Sequence, residues 1–305
     1  MSEYAIELTE KDKRIAKVKD EYYSLVEKDK LEKLREQFDS YYEKQRYEDH
    51  PKIFVYTPTY NRGDIFKDRA FASVLNQSYD NFEYLVVGDN CTDNTEEIVT
   101  NCGDSRVHYF QVPQRAWRYP PSAENHWLAG PVVAENTALR MANGDWIARI
   151  DDDDVWVEDH LETMLHAAID GKWEFVSGVS QEWRDGVEII NKGECLYGDY
   201  FGMPYSNGDE SAYNPRMGGI TTSLYRSYLR YFEFNEDCWR KNINRANDLD
   251  LLTRFGLMGV KMGFVDRVEV ILKPRPGDTT IGSAVYRRNP EAMEKHFLFD
   301  NKSQV

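Results

Sequence analysis

No stretch of this 305-residue chain approaches the ~20 consecutive apolar residues that cross a bilayer, which excludes an ordinary transmembrane helix. Cysteine is scarce: Cys91, Cys102, Cys195 and Cys238 are scattered without paired ligand spacing, so neither a disulfide framework nor a cysteine zinc site is expected. Positive charge is scarce too. With 38 Lys and Arg against 53 Asp and Glu the net charge is −15, which argues against a nucleic-acid surface, because such a surface needs basic patches to replace counterions. The start, Met1–Thr9, lacks a basic segment followed by an apolar one, so no signal peptide is read and a cytoplasmic chain is expected. What is present is 41% hydrophobic and 13% aromatic residues. That is enough for a large core, as one big α/β domain or two smaller ones, and it excludes a disordered chain.

The most demanding stretch is Trp146–Trp156. Trp146, Ile147, Ala148, Arg149 and Ile150 read as a short buried strand that runs into Asp151, Asp152, Asp153 and Asp154. One Asp at that place suits a helix start or a solvated loop. Four repel one another, and burying even one unpaired costs several kcal/mol, so a bound cation is the economical way to stabilise the cluster. Hard oxygen ligands suit Mg²⁺ or Mn²⁺. The same cation would let an acidic chain accept an anionic substrate.

Residues 10–48 are charged, with Ile15, Val18, Tyr22 and Leu25 and then Leu31, Leu34, Phe38 and Tyr41 at helical spacing. An amphipathic helix or a helical hairpin is expected, serving either as an oligomerisation helix or as an arm packed on its own chain. The step from Leu25 to Leu31 breaks the register and speaks against a long coiled coil. His50-Pro51 ends the segment. From Lys52 strands and helices alternate, which predicts an α/β fold with a mostly parallel, Rossmann-like sheet flanked by helices. Lys52–Thr57, Phe82–Val87 and Val107–Val112 read as strands; Asp68–Asn76 and Val132–Ala142 read as helices; Pro113–Gly130 reads as a loop. In such sheets ligands sit beyond the carboxyl ends of the strands. Three polar strand ends, Thr57–Arg62, Asp89–Thr92 and Asp151–Asp154, therefore fall on one rim. There Asp89 can accept a hydrogen bond from a base or ribose, while Thr57 and Arg62 can contact a ribose or phosphate.

The ordered set Thr57-Pro58-Thr59-Tyr60-Asn61-Arg62, Ser73-Val74-Leu75-Asn76-Gln77-Ser78-Tyr79, Gly88-Asp89-Asn90-Cys91-Thr92-Asp93-Asn94-Thr95, Asn136, Ala142-Asn143-Gly144-Asp145 and the Asp cluster resembles glycosyltransferase family 2 with the GT-A fold. The resemblance covers roughly Lys52 to Arg275. It implies an inverting transfer of a sugar from a nucleotide-diphosphate donor to a hydroxyl, on a glycan or another acceptor. It divides the chain into a helical extension over 1–50, a catalytic domain over 51–285 with its nucleotide-sugar half at 51–155 and acceptor half at 156–285, and a tail over 286–305. On the donor it implies Thr57, Thr59, Tyr60, Arg62 and Asn136, with Asp89 on the base and Asp151 and Asp152 on the ribose side. Asp151 and Asp153 are the implied ligands of Mn²⁺ or Mg²⁺. Uracil is the expected base, because its N3–H can donate to the Asp89 carboxylate. Two departures stand out: Glu135 precedes Asn136 where the family often has Arg, and Gly88-Asp89 stands where it often has Asp-Asp.

In the second half, Met217-Gly218-Gly219-Ile220-Thr221-Thr222 resembles the acceptor-side loop, so Gly218 and Gly219 are expected at the acceptor. Asp248, in Asn247-Asp248-Leu249-Asp250, matches the catalytic base; the plainer alternative is that Asp248 or Asp250 only caps its helix. Trp239, Trp183, Tyr205 and Tyr213 are candidate stacking faces for sugars, with Trp239 the acceptor-binding candidate. Arg275, in Lys273-Pro274-Arg275-Pro276-Gly277-Asp278, is a candidate clamp on the diphosphate. Two rival readings remain. Asp151-Asp152-Asp153-Asp154-Val155 also fits the nucleophile motif of haloacid-dehalogenase-like phosphatases, with Ser177 as a second motif, although that motif normally opens its domain. The other is a non-catalytic nucleotide- or sugar-binding scaffold.

Overall fold

A computed structural model describes residues 8–112, 119–120, 123–184, 187–198, 213–242 and 244–273. Helix α1, Glu10–Tyr42, is one unbroken rod of 33 residues, about 50 Å long at 1.5 Å per residue. Thr9 starts it with a capping box, its Oγ1 accepting from Asp12 N at 3.2 Å while Asp12 Oδ2 accepts from Thr9 N at 3.0 Å. The hairpin reading is therefore corrected: the register break at Leu25–Leu31 changes the face of the helix that is buried. Val18, Tyr22 and Leu25 point outward at 56, 59 and 75% exposure, whereas Leu31 is fully buried.

The outward turn of that apolar stripe has a physical reason: the first half of α1 docks through charges on its own chain. Asp12 pairs with Arg240, Asp20 with Lys241 and Glu27 with Arg254. Asp250, fully buried, joins Lys241 at 2.7 Å to Arg254 at 2.9 Å. Burial opposes ionisation of Asp250, but these two cations outweigh it and hold the carboxyl below its ordinary value. Lower down, Arg35 grips the buried Glu174 with two nitrogens, at 2.7 and 2.6 Å. Removing one member of such a buried set strands the others, so Arg254→Met is expected to cost ~3–5 kcal/mol in urea unfolding. A loss under ~1 kcal/mol would show that α1 is held by its apolar half alone.

The central sheet runs in the order β3 (Val107–Gln111), β2 (Phe82–Gly88), β1 (Ile53–Thr59), β4 (Trp146–Arg149), β10 (Leu224–Arg226), β6 (Phe175–Arg184), β11 (Met262–Leu272), β5 (Asp154–Trp156), with β7 (Val187–Asn191) beside β6. Strands β1 (Ile53–Thr59), β2 (Phe82–Gly88), β3 (Val107–Gln111) and β4 (Trp146–Arg149) are parallel. Every residue of β1 is buried, as expected for a central strand covered on both faces. Between the strands run α2 (Gly63–Phe66, continued by a π turn at Lys67–Phe71 and by Ala72–Leu75), α3 (Thr95–Thr100), α4 (Ala123–Ala129) and α5 (Val132–Met141).

The second half departs from the parallel expectation. Strands β5 (Asp154–Trp156), β6 (Phe175–Arg184), β7 (Val187–Asn191), β10 (Leu224–Arg226) and β11 (Met262–Leu272) are joined mainly antiparallel, and only the β6–β11 pair is parallel. The hairpin β8 (Glu194–Cys195) and β9 (Arg216–Met217) stands apart as a second sheet. Helix α6 (His160–Asp170) covers the sheet, and α7 (Asn247–Met258) ends at Gly259 in the left-handed conformation, φ 82°. Among the described residues no helix is long and apolar enough to cross a membrane.

Candidate active site

The polar ends of the parallel strands converge. After β1, Asn61 takes a left-handed turn (φ 51°), and its Oδ1 accepts from Thr92 N at 2.7 Å; Asp93 Oδ2 accepts from Gly63 N at 2.7 Å. These bonds fasten the loop after β1 to the loop after β2. Beside them, Asp152 receives Thr59 Oγ1 on one oxygen and Arg62 Nη1 on the other, both at 2.8 Å. Arg149 Nη2 lies 2.7 Å from Asp151 Oδ1. The three rims therefore form one wall.

Helix α4 and the start of α7 complete a cleft of about 370 Å³, lined by Thr59, Tyr60, Arg62, Asp89, Arg149, Asp151, Asp152, Asp153, His126, Trp127, Asn247 and Asp248. Five carboxylates face it and two guanidinium groups, Arg62 and Arg149, oppose them. Asp248 differs from Asp250 in a telling way: Asp250 is spent on Lys241 and Arg254 behind the helix, whereas Asp248 lines the cleft and accepts from Leu249 N at 2.8 Å. Burial raises the Asp248 carboxyl above its ordinary value, against the pull of Arg149. A more basic carboxylate is what proton abstraction needs.

Several expected site residues are not in the cleft. Thr57 is fully buried and shares a 2.8 Å hydrogen bond with Tyr84 Oη, so it belongs to the core. Asn136, 1% exposed, uses its amide to bridge Phe234, donating to the carbonyl at 3.0 Å and accepting from the N–H at 2.8 Å. Trp239 is 1% exposed beneath Arg240 and offers no stacking face. Gly218 is needed for packing, since a Cβ there would lie 2.2 Å from the Gly178 carbonyl oxygen; Gly219 lies beside it, and neither lines the cleft. Ser177 is buried, accepts from Gly218 N and does not line the cleft with Asp151, so it gives no support to the phosphatase reading. Arg275, Tyr205 and the tail over 286–305 lie outside the described residues.

Sequence reasoning missed His126, Trp127, Arg149 and Asn247, and noted Glu135 only as a departure from the family. His126 and Trp127 lie in α4, inside a segment read as loop; His126 Nδ1 is 3.0 Å from Tyr119 Oη, and its ring is 6.0 Å from that of Tyr60. Arg149 and Glu135 did carry a signal: each is a lone charge at a core-facing position of an apolar strand or helix, and such charges are buried only in pairs. They are paired with each other, at 2.7 Å.

A family model described as glycosyl transferase family 2 matches residues 54–119 and 123–229, more than half of the chain. The chain belongs to glycosyltransferase family 2. It is 29% identical over 182 residues to the Escherichia coli UDP-Glc:alpha-D-GlcNAc-diphosphoundecaprenol beta-1,3-glucosyltransferase WfgD, covering 60% of this family 2 chain and 63% of that enzyme. It superposes on S. aureus TarS 1-349 in complex with UDP-GlcNAc with a TM-score of 0.55 and 19% identity, over 76% of this chain and 61% of that one. The mannosyltransferase PcManGT from Pyrobaculum calidifontis, in complex with GDP-Man and Mn²⁺, gives 0.51 and 17%, over 83% and 64%. The chain spans less than two thirds of the length of each. These likenesses show the GT-A fold.

The acidic wall has a measurable consequence. Burial pushes Asp152 up to about 6 and raises Asp154 and Asp248; it pushes Glu135 up to about 7, against Arg149 and Asn247. The folded state thus holds protons that unfolded carboxyls have already released by pH ~5.5, so stability falls as pH rises from there through ~7, above the range in which lowered carboxyls such as Glu174 and Asp250 titrate. His160, whose value burial lowers, works the other way below its ordinary 6.5, but one imidazole opposes four carboxyls. The melting temperature of the protein without nucleotide or metal is expected to rise by a few degrees between pH 7.5 and 5.5. A flat or falling calorimetric profile would contradict this.

Proposed function

We propose that this chain transfers a sugar, with inversion, from a UDP-sugar to a hydroxyl of a glycan or related acceptor. The observation that carries the reading is the cleft itself, because segments from Thr59 to Asp248 bring together the groups that the reaction needs. Asp89 suits the uracil N3–H. Tyr60, His126 and Trp127 add aromatic surface to the same cleft. The relative WfgD is named for transfer from UDP-Glc, and TarS was solved with UDP-GlcNAc, which supports a uridine donor.

Five carboxylates against two guanidiniums make a poor site for a diphosphate alone. Among the described residues no group of three or more His, Cys, Asp or Glu forms a complete metal cage. Mg²⁺ and Mn²⁺ need no such cage at nucleotide sites, since one or two carboxylates and the substrate's phosphates suffice. Asp151 and Asp153 fit that role, since both line the cleft, while Asp152 holds Thr59 and Arg62. Such a cation supplies positive charge to the departing diphosphate. Arg275 remains the proposed clamp on the same group.

The acceptor oxygen attacks the anomeric carbon, the bond from that carbon to the diphosphate oxygen breaks, and UDP leaves with the electron pair. Asp248 takes the acceptor proton as the new bond forms. A panel of nucleotide-sugars with Mn²⁺, read by thermal shift and by donor hydrolysis, tests this. UDP-sugars are expected to raise the melting temperature and to be turned over. Preference for a CDP-sugar in direct competition would overturn the base assignment, and binding without turnover on any acceptor would favour a scaffold.

A further inference from the structure

A chain of contacts links the donor-side Asp151 to the helix that carries Asp248. Arg149, on β4 and 3% exposed, places the single nitrogen Nη2 2.7 Å from Asp151 Oδ1 and 2.7 Å from Glu135 Oε1. Glu135, on α5 and fully buried, accepts from Asn247 Nδ2 with both oxygens, at 2.8 and 2.7 Å. Asn247 is the first residue of α7, and the next is Asp248. The contacts therefore run from Asp151 through Arg149, Glu135 and Asn247 to within one peptide of Asp248. They tie the consecutive elements α5 and β4 to α7, 112 residues further along the chain.

Stability alone is a weak reason for this arrangement. Burying an ion pair costs desolvation, and an apolar pair of similar volume would hold β4 against α5 equally well. An apolar pair cannot aim a carboxylate. The charged pair can, because Arg149 Nη2 approaches Asp151 and Glu135 at once and Asn247 Nδ2 donates to both oxygens of Glu135. The Glu135 that stands where the family often has Arg thus has a cationic partner in Arg149, on β4.

We infer that Arg149 and Glu135 are positioning residues that set the donor-side Asp151 and the acceptor-side Asp248 through one buried link. The inference rests on the proposed transfer at this cleft, and its effect is geometric. Moving either residue disturbs both sides of the reaction at once.

The test compares wild type with Glu135→Gln and with the double variant Glu135→Leu/Arg149→Leu, which leaves neither member of the pair charged. Melting temperature, kcat with a UDP-sugar, and the Mn²⁺ concentration that half-saturates UDP binding are measured on each. The double variant is expected to melt within a few degrees of wild type while kcat falls at least tenfold and the Mn²⁺ requirement shifts threefold or more. Glu135→Gln keeps the shape and is expected to shift both in the same direction by a smaller factor. If the double variant does not fold, Glu135→Gln decides on the same two readings. Values within twofold of wild type, or a kcat loss equal to the loss of folded protein, overturn the inference alone. A wild-type chain that neither binds UDP nor turns over a UDP-sugar overturns the proposed function, and the inference with it.

Discussion

Asp248→Asn is expected to lower kcat by ~10²–10⁴ while leaving donor affinity close to wild type. The amide has nearly the same shape as the carboxylate and keeps an oxygen for Leu249 N, which Asp248 now serves at 2.8 Å. It cannot accept the acceptor's proton. The variant separates two proposed jobs of the cleft, because charge at the diphosphate would be offset by a cation held on Asp151 and Asp153 and not by Asp248. A helix cap alone would predict a different outcome: lower stability with unchanged turnover per folded molecule. Full transfer activity in Asp248→Asn, at any folded fraction, would remove Asp248 from the chemistry.

The second large effect is expected from Asp153→Ala. Loss of this carboxylate should abolish the part of UDP binding that depends on Mn²⁺, and with it the thermal shift that nucleotide and metal together produce. Without ligand the variant should be no less stable than wild type. The charge of Asp153 helps to raise both Asp152 and Asp154, so removing it relieves repulsion in a buried cluster. Arg62, 3.8 Å from Asp153 Oδ2, retains Asp152 as its partner at 2.8 Å. Calorimetric titration of UDP with and without Mn²⁺ decides the matter. Equal Mn²⁺-dependent affinity in Asp153→Ala and wild type would remove this residue from the metal site.

The donor half was legible because its strands are buried on both faces and end in polar loops. A run such as Ile53–Tyr56 followed by Thr-Pro-Thr-Tyr-Asn-Arg announces both the strand and the rim. The acceptor half was not, since β5 and β10 are three residues long and join the sheet antiparallel, below the reach of any periodic pattern. Residue type misled where a polar or aromatic group serves the core. Thr57 answers Tyr84, Asn136 answers Phe234, and Trp239 is enclosed, although each belongs to a type found at sugar sites. The strand reading over Trp146–Ile150 was correct, yet Arg149 within it was passed over. A lone guanidinium in a buried strand calls for a buried acid, and its partner Glu135 lies fourteen residues earlier on α5. The apolar spacing at the start of α1 was real but faces outward, because ion pairs and not burial dock that half of the helix.

The account rests most heavily on a single in-line displacement in the cleft, and water can stand in for an acceptor of unknown identity. The measurement is ¹H NMR of the free sugar at early times, as the wild-type chain with Mn²⁺ hydrolyses the α-linked UDP-sugar that gives the largest thermal shift. One displacement reverses the anomeric centre, so the β-anomer should accumulate first and decay to the equilibrium mixture afterwards, with Asp248→Asn showing little of either. First release of the α-anomer would mean retention and would contradict the account, since a double displacement needs a carboxylate nucleophile that the cleft has not been assigned.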